Sequence, residues 1–445
     1  MTNPQVLTRM ASFVFFVTLA GVGDAADLVQ SYRLAQERDP VFAAARTTLE
    51  AFQQKVPQAR AGLLPTFGAA ANTGWNDNRQ LRPNPQTDRY NNNGYSVSLN
   101  QPLFRWQNWV GYDQSKLVVA QAELKFGQAE QDLILRVAQA YFDVLSAAEN
   151  LAAARFARES IRERLDAART SVDVGVGTRT DLRDAEARFE LAKAQEIAAD
   201  AELKVRRRAL DAIVGERLPT LAGVRAGTRL EMPQPADVDR WVENALANNL
   251  VVRQQQLALE IASREVEKQR AGHYPTLDLV ASAGRTNGWD TDVDKAQDTN
   301  YSNIGVQLNV PIFQGGLVVA REREASALRG TAQSDVEAAK RAAEVAVFQQ
   351  YLGVTSGFAQ VESYIAAVKA AEQAQALTRE AFLLGERPLI DVLNAENQLY
   401  FARRDLARAA NDAIMARLRL KSSVGELGEQ DVLAVNAILD PANPR

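Results

Sequence analysis

No cysteine occurs among the 445 residues. That excludes a disulfide framework, a thiolate metal site and a lipid-bearing N-terminal Cys. Histidine is nearly absent as well. His273 stands alone, so a multi-histidine metal centre is excluded and imidazole acid–base catalysis has little to work with. Its place beside Tyr274, just before a predicted strand, suits a boundary residue without chemistry. The chain has no P-loop pattern, no GxSxG and no dinucleotide fingerprint, so neither an enzyme nor a cofactor is expected. A net charge of −4 and a pI near 5.5 lack the clustered basic surface that a nucleic-acid partner requires. Long apolar runs are missing too. After Ala26 nothing is apolar enough for a transmembrane helix, so any membrane contact must be made by strands.

The one apolar run, Ala11 to Gly21, follows Arg9 and precedes the small residues Gly23, Ala25 and Ala26. This predicts a cleaved secretory signal over residues 1–25 and an exported mature chain.

What the chain does have is itself, twice. AQAYFDVLSA (138–147) returns as FQQYLGVTSG (348–357), with Tyr141 matching Tyr351, Val144 matching Val354 and Ser146 matching Ser356. The offset of 210 recurs far away, in Arg-Ala-Gly before Pro65 and Pro275, Gly175 with Gly385, Asp181 with Asp391, and Val214-Gly215 with Val424-Gly425. A constant offset over most of a chain marks a duplicated unit. The halves are residues 26–230 and 231–427, with a C-terminal tail over 428–445.

Each half has one plan. In the first, apolar positions at helical spacing predict one helix over residues 27–61, broken or kinked at Pro40. Short alternating segments follow and predict strands at about 66–76 and 94–103. The second half has the same at about 276–285 and 302–312, where Ile304, Val306 and Leu308 alternate with Gly305, Gln307 and Asn309. Asn- and Asp-rich composition predicts loops between them, Asn76 to Asn93 and Gly284 to Asn303. Aromatics near the strand ends (Trp75, Tyr90, Tyr95, Trp289, Tyr301) and the period-two pattern fit an outer-membrane barrel, with a soluble hairpin as the alternative. Four strands cannot close such a barrel, and an open edge is not tolerated in lipid. Several copies must therefore share one barrel, and three would supply twelve strands.

Very long helical hairpins come next, about 106–215 and 315–425. A run of roughly 65 residues is on the order of 100 Å long. Ile134, Ala138, Tyr141 and Leu145, like Tyr351, Val354, Phe358 and Val361, step by three and four as coiled-coil seams do. Gly175 and Gly385 mark tight turns, each followed by a helix that restarts near Asp181 or Asp391. Leu218 to Asp237, with three prolines, reads as a linker between the halves.

These features together resemble the TolC family: two copies of a helix ending in a Leu/Tyr-Pro-Thr turn, two strands, a Pro-(Leu/Ile)-Phe exit and a long hairpin with a Gly tip. GERPLIDVLNAENQLY (385–400) and KSSVGELGEQDVLAVNAIL (421–439) are especially similar. The resemblance covers essentially the whole mature chain. It implies a mainly α protein with a small membrane β part: a homotrimer whose twelve-stranded outer-membrane β-barrel, set in lipid, continues into a coiled-coil periplasmic tunnel. It also implies a tripartite export machine, with a periplasmic adaptor (membrane fusion) protein and an inner-membrane ABC or proton-driven transporter. By motif, Arg387 falls on the family's gate arginine and Thr180 and Asp181 on its partner positions. Asp391 falls on the acidic, cation-selective constriction. Two positions depart: Asn394 replaces a second ring aspartate, and Phe382 replaces a tyrosine of the gate. Val174, Gly175, Val176 and Gly177, with Leu384 and Gly385, resemble the adaptor-docking tips. The closeness of the match and the missing lipid-bearing Cys tilt the expectation toward type I protein secretion. Small-molecule efflux is the alternative, and a periplasmic coiled-coil spacer or adaptor a remoter one.

Overall fold

The structure is a computed structural model that describes residues 25–81, 86–225, 232–290 and 295–444. The expected signal sequence lies outside the described residues except for Ala25.

Three short helices open the chain where one was expected. The Asp27 carboxylate accepts from the Gln30 N–H and starts α1 (Leu28–Arg38). Asp39 ends α1 and caps α2 (Pro40–Gln53), accepting from the Phe42 N–H at 2.8 Å. Pro40 occupies the first helical position, where its missing N–H leaves nothing unsatisfied. The break foreseen at Pro40 is thus a shared cap. A second break at Gln54 leads into α3 (Lys55–Ala61).

Two hairpins form the sheet: β1 (Thr66–Gln80) with β2 (Gln86–Phe104), and, from the second half, β4 (Thr276–Asp290) with β5 (Lys295–Asn309). A small strand, β3 (Ala222–Val224), lies between them in sequence. The sheet is antiparallel in the order β1-β2-β4-β5, so the duplicated units meet through β2 and β4. Register places Phe67, Leu99, Ala281 and Ile304 in one row, and Gly68, Ser98, Ser282 and Asn303 in the next. One face is therefore apolar and the other polar, the alternation a membrane strand needs. β1 and β5 are its edges, and neither has a partner strand on its outer side among the described residues.

The expected loops are mostly strand. β1 and β2 stay paired out to Gln80 opposite Gln86, and β4 and β5 out to Asp290 opposite Lys295. Asn and Asp are poor strand formers, but ladder bonds belong to the backbone, and the pairing here is purely local. Polar side chains then bond across it: Thr73 with Asn91, Arg89 with Asp77 at 3.0 Å, and Arg285 with Asp298.

Beyond the sheet run the helices. α4 (Trp106–Asp173) and α5 (Arg179–Val214) form the first hairpin. After α6 (Val238–Asn248) and α7 (Leu250–Arg270), α8 (Leu317–Leu383) and α9 (Leu389–Val424) form the second. The 68 residues of α4 rise about 100 Å. No helix among the described residues is both long and apolar enough to cross a membrane. At the foot of the sheet, Arg105 grips the buried Asp278 of β4 through two hydrogen bonds of 2.8 and 2.7 Å, tying the first half's strand exit to the second half.

Midway along the helices the two chain ends interlock. The segment expected to be only a tail folds as α10 (Glu429–Asn436) and β6 (Leu439–Pro444), and β6 pairs with β3 inside the expected linker. The Asn436 side chain accepts from the Leu28 and Val29 N–H groups and donates to the Asp27 carboxylate. Ala26, fully buried, bridges to Leu221. A core forms beneath this belt from Leu28, Tyr32, Leu133, Val137, Tyr141, Val144, Leu210 and Leu418. A second, smaller core joins Trp241 to Val347, Val354, Phe358 and Ala413.

Candidate functional site

The candidate site is the end of the helical body farthest from the sheet, where both hairpins turn. The two turns share a backbone plan. Each helix ends on a glycine with positive φ, 80° at Gly175 and 78° at Gly385, a conformation that side-chain-bearing residues avoid. In the first, the Val176 and Gly177 N–H groups donate back to the Ser171 carbonyl; in the second, the Glu386 N–H donates to Ala381. The expected docking residues sit at the apex. Val176 and Leu384 are 81% and 69% exposed, an unusual setting for large apolar side chains on a folded surface.

What begins the next helix differs. Thr178 caps α5, its hydroxyl accepting from the Asp181 N–H at 3.1 Å and donating to the Asp181 carboxylate at 2.7 Å. Asp181, expected as a gate partner, thus already has a local one. Thr180 lies exposed in the same first turn. Pro388 stands in the capping position of α9 and offers no side-chain bond. There Arg387 reaches Asp391 at 3.5 Å, one turn on. No hydrogen bond or ion pair among the described residues joins Arg387 to Thr180 or Asp181 within the chain. The two sets are brought to the same end of the molecule but not into contact. Phe382 lies at the surface of the last turn of α8, with a ring that cannot donate a hydrogen bond.

Asn394 is not idle. Its side-chain oxygen accepts from the Arg164 guanidinium of α4. Next to it Asn397 donates to the buried Ser160 hydroxyl at 2.9 Å, and farther up Asn411 donates to Ser146 at 3.0 Å. Between these rungs Phe156 stacks on Tyr400 at 4.8 Å. Thus the lower part of α9 meets α4 through a polar seam and its upper part through Ile414, Met415 and Leu418 of the first core, while it meets α8 through Val347, Val354 and Val361 against Ala409, Ala413 and Leu420. Sequence reading passed over Arg164, Ser160 and Asn397. The available signal was asparagine at seam-spaced positions 394, 397 and 411, a polar interruption of a heptad pattern. Burial and the nearby positive Arg188 pull the Arg164 guanidinium below its ordinary pKa. Among the described residues no group of three or more His, Cys, Asp or Glu is disposed to hold a metal ion.

Comparison with known proteins agrees with this geometry. A family model described as outer membrane efflux protein matches residues 31–216 and again 241–426, once in each half. The alkaline protease secretion protein AprF of Pseudomonas aeruginosa is 32% identical over 98% of this chain and 92% of its own. The outer membrane protein TolC of Vibrio cholerae is 29% identical over 96% of each chain. Among solved structures, the CmeC outer membrane channel of Campylobacter jejuni superposes with a TM-score of 0.77 over 98% of each chain. Its 17% identity makes that a likeness of fold.

Proposed function

Since the chain belongs to the outer membrane efflux protein family, and is a TolC-type outer-membrane channel and not an enzyme, we propose that it is the exit duct of a tripartite machine for type I protein secretion. The observation that carries this reading is the sheet: four strands, one apolar face and two unpaired edges. A strand edge left open in hydrocarbon costs several kcal/mol, roughly, for each unpaired backbone group. Closure by copies of the same chain removes both edges, and three copies give a barrel of twelve strands. Below it, hairpins about 100 Å long carry the tunnel through the periplasm. The likeness to a protease secretion protein over nearly the whole chain supports the choice of cargo.

In this reading the tips hold the tunnel shut until an adaptor, recruited with an inner-membrane ABC transporter, docks on Val174 to Gly177 and on Leu384 and Gly385. Arg387 turns from Asp391 toward Thr180 and Asp181 of a neighbouring copy, a rearrangement the long 3.5 Å pair within the chain resists little. Asp391 lines the constriction with one carboxylate per chain and favours cations, while Asn394 adds none.

Planar-bilayer conductance of the purified trimer tests this. Wild type should conduct weakly and Arg387→Ala strongly; equal conductance removes Arg387 from the gate, and unchanged cation block in Asp391→Asn removes the acidic ring. Cargo is tested in cells that carry an ABC exporter, its adaptor and its protein substrate. Restored protein release with unchanged drug tolerance is expected. The reverse result turns the assignment to small-molecule efflux.

A further inference from the structure

The α4–α9 seam contains a charge with no ion-pair partner among the described residues. Arg164 is half-buried between the two helices. Its one hydrogen-bond partner among the described residues is the neutral amide of Asn394, and its Nε–H is buried with no partner at all. One turn along the same seam, the Asn397 Oδ1 is likewise buried and unpaired. A donor and an acceptor are thus both desolvated without reward, in an interface where the Asn397 amide N–H reaches Ser160 and Asn411 reaches Ser146. The nearby charge that acts on the guanidinium is Arg188, of the same sign. Water still reaches part of the guanidinium, so the cost rests on its buried, orphaned Nε–H and on the partial loss of hydration beside a like charge.

We propose that Arg164 is the release element of the second hairpin, a positioning residue whose uncompensated charge keeps the lower α4–α9 seam close to parting. The inference rests on the duct reading above, in which the tips hold the tunnel shut until an adaptor docks; it adds that α9 parts from α4 when they open. Water entering the lower seam satisfies the Arg164 Nε–H and the Asn397 oxygen together, so separation recovers what closure loses. Higher up, the Asn411 to Ser146 rung and the buried Ile414, Met415 and Leu418, packed in one core with α4, keep the helices joined. Opening therefore begins at the tip and stops partway. Asn394 is part of the device. An aspartate there would give Arg164 its counter-ion and close the seam, so the neutral amide spares the machine a lock.

The test pairs two substitutions with two readouts. Arg164→Met replaces the charge with an apolar side chain of similar length, and Asn394→Asp supplies the missing charge. Each is placed in wild type and in Arg387→Ala. Conductance gives the open fraction. A nitroxide pair at the exposed positions of Asp166→Cys and Gln398→Cys, in a chain with no native cysteine, gives the seam width without any need for conduction, with labelled protein diluted into unlabelled. Both substitutions should lower the open fraction of Arg387→Ala about tenfold, and both should narrow and shorten the distance distribution. A wider seam or higher conductance in Arg164→Met makes Arg164 a latch and overturns the proposal. Unchanged distances in both variants overturn it too, because the charge then has no hold on the seam. If Arg387→Ala itself fails to conduct, the duct reading falls, and the distances alone still decide the role of Arg164.

Discussion

The two hairpins descend from one unit and are built to different tolerances. In the first, Tyr141 is fully buried and its hydroxyl donates to the carbonyls of Ala26 and Ala222 at 3.1 and 2.7 Å, clamping α4 beneath both chain ends. Its counterpart Tyr351 is only partly buried and makes no hydrogen bond of this kind among the described residues. Asp39, 3% exposed, caps α2 and binds Arg136 of α4 through both oxygens. Its counterpart Asn249 caps α7 and donates to the Ser423 carbonyl at 2.7 Å, a neutral version of the same tie. Thr178 caps the first returning helix, and Pro388 leaves the second uncapped. Yet Val144 and Val354, at matching positions, are both fully buried. Duplication kept the apolar seams and let the polar fastenings diverge. One copy is fastened as a frame, and the other is held mostly by its own seam.

Converting the first copy into the second is the most direct way to break this comparison. Asp39→Asn leaves Arg136 without its carboxylate and should cost about 3 kcal/mol at neutral pH, read as a lower urea midpoint for helix loss in micelles. Burial pushes the Asp39 carboxyl up, but hydrogen bonds from Arg136 and the Phe42 N–H outweigh it and hold the pKa below the ordinary range. A depressed carboxylate stabilises the fold above its unfolded pKa, about 4, and loses that contribution as pH falls through the lowered folded value. The gap between wild type and Asp39→Asn should therefore be full at pH 7 and shrink in that acid window. Next in size is the tyrosine pair. Tyr141→Phe takes the hydroxyl proton from the buried Ala222 carbonyl, while the Ala26 carbonyl keeps the Ala222 N–H, and should cost about 2 kcal/mol; Tyr351→Phe should stay within about 0.5 kcal/mol of wild type. Equal effects would erase the distinction between the fastened copy and the looser one. At the tips, Thr178→Ala should cost about 1 kcal/mol, visible as faster amide exchange in the first turn of α5. Smallest of all, Pro388→Thr should slow exchange at the start of α9 by installing the cap that the first tip already has.

Much of this was legible in the sequence, because its signals were local or repeated. The 210-residue offset exposed the duplication, stepped apolar positions exposed the long helices, and Gly175 and Gly385 marked both tips. The polar ends of the strands were not legible. Asn91, Asn92 and Asn93 have loop composition, and only the partner strand, itself polar, makes them strand. The pairing of Val224 with Leu439 was hidden for another reason: the partners are far apart in the chain and each segment is too short to show a period. At the site, motif pointed to Arg387 and Asp391 for different roles, and the structure sets the two 3.5 Å apart. Arg164 was missed because a charge on a helix is ordinarily solvated. Nothing in one helix's sequence says which neighbour will cover it.

The interlocked ends have a consequence for how the molecule is made. The core under Tyr141 needs residues near both termini, from Ala26 through Ile438 and Leu439. Residues made early therefore wait for residues made much later before the belt can shut. A chain cut short before Leu439 can extend its helices and pair its hairpins, but it leaves Ala222 to Val224 as a bare edge and the first residues untied. An unfinished copy carries its own mark, open to any protease that meets it.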